Sequence, residues 1–197
     1  MFNDKYGLTQ AVLEGRKTQT RRILNHQPSS TTDKPLFYVF DNEKYYDDPY
    51  KDPMWGSISW ENEDGKRTPI NKVAYLIGEV VAVAQSYKDA QCDYYFHRGL
   101  SGWNNKMFVR ADLMPHRIRI INVRVERLQD ISEEDCIKEG VEQCQTPSCH
   151  KNYCTRDCGD CEPSPREAFA YLIDKVSGKG TWDSNPLVFV YEFELVK

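Results

Sequence analysis

Residues 116–129 read HRIRIINVRVERLQ. Ile118 and Ile120 alternate with Arg117 and Arg119, the period-two pattern of a strand with one face buried. The phase then changes, and Ile121, Val123 and Val125 continue the alternation on the opposite parity. A one-residue slip of this kind is what a β-bulge produces, and bulges are common where a sheet curls toward closure. The stretch therefore predicts a long strand bent by a bulge.

Outward from it, GEVVAVA at 78–84 predicts a buried strand, and 107–111 a short one. On the other side, Ser132 with Glu133, Glu134 and Asp135 supplies a helix cap and an acidic first turn, and Gly140 a stop. A second helix opens on Ser164 and Pro165, with Glu167 completing a capping box. Its apolar face is Phe169, Leu172, Ile173 and Val176, and Gly178 ends it. LVFVYEFELV at 187–196 is a final strand. Near the start, 8–14 predicts a short helix capped by Thr9 and stopped by Gly15. GRKTQTRR at 15–22 then runs out as a strand to about Ile23. Its alternation puts Thr18, Thr20 and Arg22 on one face and Lys17, Gln19 and Arg21 on the other.

Several strands joined by short helices predict an α+β fold, a small bulged β-barrel. One domain spanning 1–197 is expected, with two insertions. The first, at about 24–77, is rich in Asp, Asn, Pro and Tyr. It offers a strand at 37–40 and a hairpin, WGSISWENEDGKRTPI, turned at Asp64 and Gly65. It has too few aliphatic residues for a core of its own. The second, at 141–163, is rich in cysteine.

The 197 residues carry 30 Asp and Glu against 26 Lys and Arg, a net charge of −4, which argues against a broad nucleic-acid-coating surface. An anionic ligand would have to meet a local patch, and 15–22 is the candidate. With no run of eighteen apolar residues, no membrane span is expected. MFNDKYGLTQ lacks the pattern of a secretion signal, so a cytoplasmic protein with reduced cysteines is expected.

The helix leading into Gly15-Arg16-Lys17-Thr18-Gln19-Thr20-Arg21-Arg22, the GEVVAVA strand, Met114-Pro115 with RIRIINVRVERLQDISEEDCIKEG, AFAYLIDKV and TWDSNPLVFVYEFELV occur in an order that resembles the ASCH domains. These are a branch of the PUA-like β-barrel superfamily, and the similarity is greatest to phage- and prophage-associated members. It covers about half the chain and leaves out both insertions. Ala84-Gln85 stands where such proteins are expected to have arginine and glutamate.

The resemblance implies a cleft beside the barrel that binds RNA or a modified nucleoside or nucleotide, with no cofactor needed. Arg16, Lys17, Thr18, Arg21 and Arg22 would line it, Arg as a planar fork of donors and Lys as a compact charge. Trp182 would stack a base there, or else simply pack in the turn before the last strand. Some small bacterial members deacylate N4-acetylcytidine, and their catalytic lysine, threonine and glutamate fall here on Lys17, Thr20 and Glu139. This makes an amidohydrolase the alternative to a binding protein, and a phage accessory protein that binds another protein a further one. The bland alternatives are a solvated strand for 15–22 and an exposed helix glutamate for Glu139. Residues three apart lie on opposite strand faces, so Lys17 reaches Thr20 only if it sits in the turn after Gly15 or the strand is distorted.

The second insertion carries Cys144-x4-Cys149-x4-Cys154-x3-Cys158-x2-Cys161, with His150 beside it. A structural zinc ion on Cys149, Cys154, Cys158 and Cys161, free thiols, and disulfides are all compatible with that spacing. Cys92 and Cys136 are expected to be packing residues.

Overall fold

The computed structural model describes residues 2–30, 32–38, 56–146, 149, 152–155 and 161–196. In chain order the elements are α1 (Leu8–Leu13), β1 (Gln19–Ile23), β2 (Lys34–Tyr38), β3 (Ser57–Glu61), β4 (Asn71–Lys72), β5 (Val80–Ala82), α2 (Tyr94–His97) and β6 (Arg117–Arg127). There follow α3 (Glu133–Lys138), β7 (Glu142–Gln143), β8 (Tyr153–Cys154), α4 (Pro165–Ser177), α5 (Thr181–Ser184) and β9 (Leu187–Val196). The architecture is α+β. A four-stranded antiparallel sheet, β1-β9-β6-β5, curls into a half-barrel, with β2-β3-β4 as a second sheet.

The bulge falls where the sequence changes phase. Ile120 pairs with Phe193 and Asn122 with Glu192, which leaves Ile121 as the extra residue, 48% exposed. On either side of it Ile118, Ile120 and Val123 stay buried, so the slip preserves a continuous inner face while it bends the strand.

β9 lies between β1 and β6 and is buried on both faces, which explains its nearly unbroken apolar run. Val188 and Val190 pack with Leu8, Leu128, Ile131, Phe169, Leu172 and Ile173 on the helical side. Phe189, Tyr191 and Phe193 pack with Val12, Ile120, Val123, Ile58 and Trp60 inside the curl. The described part of the first insertion thus contributes Ile58 and Trp60 to the main core, and its described residues form no separate core cluster.

The hairpin of that insertion is present: Glu61 bridges Arg67, and Gly65 sits at φ +73° in the turn. The strand expected at 37–40 begins earlier, at Lys34; residues 39 and 40 lie outside the described ones. Ser132 caps α3 by accepting the Asp135 N–H at 3.1 Å, and Ser164 caps α4 by accepting that of Glu167 at 3.2 Å. Cys136 is fully buried, and burial pushes its thiol up to about 12, as suits a packing residue. No helix among the described residues is long and apolar enough to cross a membrane.

Four local expectations are corrected. Thr9 is not the cap of α1; Gly7, at φ 65°, holds that position, and the Thr9 hydroxyl donates to Asp4. β5 is an edge strand and not a buried one, with Val80 42% exposed. Val176 lies at the exposed end of the apolar face of α4. The strand expected at 107–111 is replaced by two single 3-10 turns, Lys106–Phe108 and Ala111–Leu113. There the Asn105 side chain accepts the Met107 N–H at 3.0 Å and the Tyr87 hydroxyl accepts that of Arg110 at 3.0 Å, so those amides are engaged away from any ladder.

Gly140 ends α3 at φ +103°, and an added Cβ would lie 3.2 Å from Leu8 Cδ2 and 3.5 Å from Lys17 Cδ. Gly140→Ala is expected to lower the unfolding free energy by about 1–3 kcal/mol, read from urea denaturation. Gly178→Ala, at φ +115° with nothing near the added carbon, separates the backbone cost from the steric one.

Candidate active site

The site begins at the end of α1. Gly15 takes φ +74°, and the N–H groups of Arg16 and Lys17 both donate to the Ala11 carbonyl at 2.9 Å, which turns the chain back toward the core. The Thr18 N–H then donates to the Lys138 carbonyl at 2.9 Å, docking the turn on the C-terminal end of α3. Lys17 therefore enters the protein beside Glu139 and is 2% exposed. Its Nζ donates to Glu139 Oε2 at 2.6 Å and to the Glu139 carbonyl at 2.7 Å.

Arg21 follows two strand repeats later, past Gln19, on the same inward face. It donates from Nη1 to the other Glu139 oxygen at 3.0 Å, from Nη2 to Glu126 at 2.6 Å, and from Nη2 to Asp135 at 3.3 Å. Arg124 holds Asp135 and Glu126 from the far side, at 2.8 and 3.0 Å, and also donates to Glu192. The Gln19 amide links Asp135 and Glu192. The result is one alternating network of cations and carboxylates, in which Glu139 bonds both Lys17 and Arg21.

Its electrostatics divide the two cations. Burial dominates at Lys17 and lowers its pKa, with Glu139 opposing and Arg22 and Arg21 assisting. Burial also works against the charge of Arg21, but Glu139 and Glu126 outweigh it and hold the guanidinium above its usual range. Asp135 is desolvated too, yet its bond to Lys138 and the charges of Lys138, Arg21 and Arg124 keep it below the usual carboxylate range.

A cavity of about 580 Å³ opens beside this network. Thr20, Arg21, Arg22 and Ile23 line it in unbroken succession, while no residue of β9 does. It therefore runs along the outer edge of β1, the edge strand, where residues of both strand faces can reach it. Lys17, in the turn after Gly15, and Thr20, on β1, both line the cavity. Glu139 lines it as well, with Phe2, Leu8 and the α4 residues Phe169, Leu172 and Ile173 as an apolar wall. Among the described residues no hydrogen bond joins Thr20 to Lys17.

The remaining candidates divide. Arg22 lines the cavity. Arg16 is at the surface, bonded to Glu14 at 2.7 Å and Glu142 at 3.1 Å. Thr18 serves through its backbone. Trp182 is not in the cavity but behind its wall, edge-on to Phe169 with ring centroids 6.2 Å apart and under the Arg166 guanidinium. Glu139, for which an exposed helix position was the bland alternative, is 4% exposed. Sequence reasoning did not find Phe2, Glu126, Asp135 or Arg124. Asp135 carried an ordinary signal as part of a helix cap, and Glu126 and Arg124 as the polar positions of a strand, so nothing marked them out.

Of the cysteines expected to hold a metal, Cys149 and Cys161 come together, but with Cys144 beside them: the three Sγ atoms lie within 4.8 Å of one another. Cys154, buried at the end of β8, stands outside that group of three but interacts with Cys161. Cys158 and His150 lie outside the described residues.

Comparison with protein-family models, with curated proteins and with solved structures returns no match.

The buried network makes a stability prediction. Removing the Glu139 carboxylate leaves Lys17 and Arg21 buried with too little counter-charge. Glu139→Ala is expected to cost about 3–5 kcal/mol in a urea titration, against within about 0.5 kcal/mol for the exposed Glu63→Ala. Equal losses in the two variants would be incompatible with a buried ion set.

Proposed function

We propose that the cavity takes a modified nucleoside and that the protein hydrolyses an acyl group from it, acting on an N4-acylated cytidine-like substrate. The observation that carries this reading is the meeting of Lys17, Thr20 and Glu139 in one cavity, with the Lys17–Glu139 bond of 2.6 Å spanning 122 residues of sequence. The volume falls within the range of small-ligand pockets, and the combination of an apolar wall with a few convergent polar groups is typical of them. It is also the arrangement that the resemblance to ASCH domains implies, and with it we assign the curled sheet to the PUA-like barrel type.

The environment favours chemistry over simple anion binding. Lys17 and Arg21 face carboxylates, so little of their charge remains for a phosphate. Lysine can act as a base only when neutral, and burial moves Lys17 in that direction. In the proposed reaction Lys17 takes the Thr20 proton as Oγ1 attacks the acyl carbonyl. The C–N4 bond then breaks, the leaving amine takes a proton relayed through Glu139, and water releases the carboxylic acid from the Thr20 ester. Arg21, bonded to Glu139, positions that carboxyl for the transfer.

Purified protein incubated with N4-acetylcytidine is expected to yield cytidine and acetate with multiple turnovers, measured by chromatography. Lys17→Ala and Thr20→Ala should each abolish turnover, and Glu139→Gln should cripple it. Lys17→Arg should fail as well, because a guanidinium keeps its proton near neutrality. The rate should rise with pH through a lysine pKa below the ordinary 10.5, since the lowered pKa belongs to the base that must be neutral. Nucleoside binding by calorimetry without turnover would overturn hydrolysis and leave a binding protein. Salt-sensitive binding of RNA, lost in Arg22→Ala, would instead move the function to phosphate recognition.

A further inference from the structure

The cysteine-rich insertion is organised by its backbone before any ligand is considered. β7 and β8 pair Glu142 with Cys154 and Gln143 with Tyr153, and Tyr153 in turn exchanges both hydrogen bonds with Glu162, at 2.7 and 2.8 Å. This ladder sets Cys144 just past β7, Cys154 at the end of β8, and Cys161 beside Glu162. The Cys144 N–H donates to the Asn152 carbonyl at 2.8 Å, the Asn152 N–H to the Cys149 carbonyl at 3.0 Å, and the Cys149 N–H to the Thr146 carbonyl at 3.1 Å. Cysteines spread over eighteen residues are thereby brought to one point.

At that point the thiols form one cluster and not two pairs. The Sγ atoms of Cys144, Cys149 and Cys161 lie within 4.8 Å of one another, and the thiol of Cys154, outside that group of three, also interacts with Cys161. Two disulfides would join the sulfurs two by two and give Cys161 no reason to meet three partners. A tetrahedral tetrathiolate has metal–sulfur distances of about 2.3 Å, hence sulfur–sulfur edges of about 3.8 Å, close to this clustering. The Thr146 N–H donates to Cys144 Sγ at 3.4 Å, a donor of the kind that stabilises a metal-bound thiolate, and the Thr146 hydroxyl lies 2.8 Å from the same sulfur. Soft sulfur ligands in tetrahedral array select zinc over hard cations.

We propose that Cys144, Cys149, Cys154 and Cys161 hold one zinc ion as a tetrathiolate and that this ion fastens the insertion to the domain. Cys144 joins the Cys149, Cys154 and Cys161 expected from sequence spacing, and Cys158 lies outside the described residues. The fastened hairpin packs on α4, the helix that walls the cavity, and Tyr153 joins the core on that side. The assignment does not depend on the chemistry in the cavity.

Full-length protein purified without added metal is expected to carry about one zinc per chain by elemental analysis. Exchange into cobalt should give the intense visible absorption of a tetrahedral thiolate complex, a readout on the unaltered chain. Cys144→Ser and Cys161→Ser should lose most of the metal while Cys158→Ser keeps it. Stripping zinc should make the insertion sensitive to protease while the barrel remains intact. Three results would overturn the proposal: a metal-free chain with all thiols reactive, a mass deficit showing disulfides, or metal lost in Cys158→Ser but retained in Cys144→Ser.

Discussion

One carboxylate ties the two halves of this molecule together. Glu139 bonds Lys17 and Arg21, 122 and 118 residues away in sequence, and all three are buried. Two cations withdrawn from water are tolerable only where opposite charge and hydrogen bonds meet them. Lys17 has little besides Glu139, which it contacts through both the side chain and the backbone carbonyl. The turn after α1, the start of β1 and the end of α3 must therefore assemble as a unit. Gly140, whose positive φ lets the chain leave α3 beside Leu8 and Lys17, belongs to the same constraint.

The curled sheet supplies the frame. β9 is buried on both faces and pairs with β1 on one side and β6 on the other, so it fixes the height of Lys17, Thr20 and Arg21 against Glu126 and Arg124. The bulge at Ile121 changes the register between Ile120 and Asn122. Beyond it Arg124 and Glu126 present their side chains to Arg21 and Asp135, while Val123 stays inside the curl. A regular strand would move one of these sets to the wrong face. The device that bends the sheet is thus also the one that completes the charged network.

The network reverses the simplest meaning of the GRKTQTRR segment. Its density of positive charge suggests a patch for anions, yet Lys17 and Arg21 are turned inward and neutralised, and Arg16 is held by Glu14 and Glu142. At the cavity stand a lysine whose pKa is lowered by burial, a threonine, a carboxylate shared by two cations, and Arg22. In the proposed reaction the first three serve proton transfer at an uncharged ligand.

Local sequence by itself determined the strands at β6 and β9, the bulge, the caps Ser132 and Ser164, and the glycine stops, because each rests on near-neighbour patterning or on a backbone angle few residues adopt. It also marked 15–22 and the cysteine run as unusual. Only the tertiary structure decided what these residues meet. An alternation of Lys17, Gln19 and Arg21 with Thr18, Thr20 and Arg22 says which residues share a face but not which face is buried, and here the charged one is, because Glu126, Asp135 and Glu139 arrive from elsewhere to receive it. Cysteine spacing likewise gives distance along the chain and not in space. The β7–β8 ladder helps bring Cys144 to Cys149 and Cys161, since pairing between strands sets proximity independently of separation in sequence.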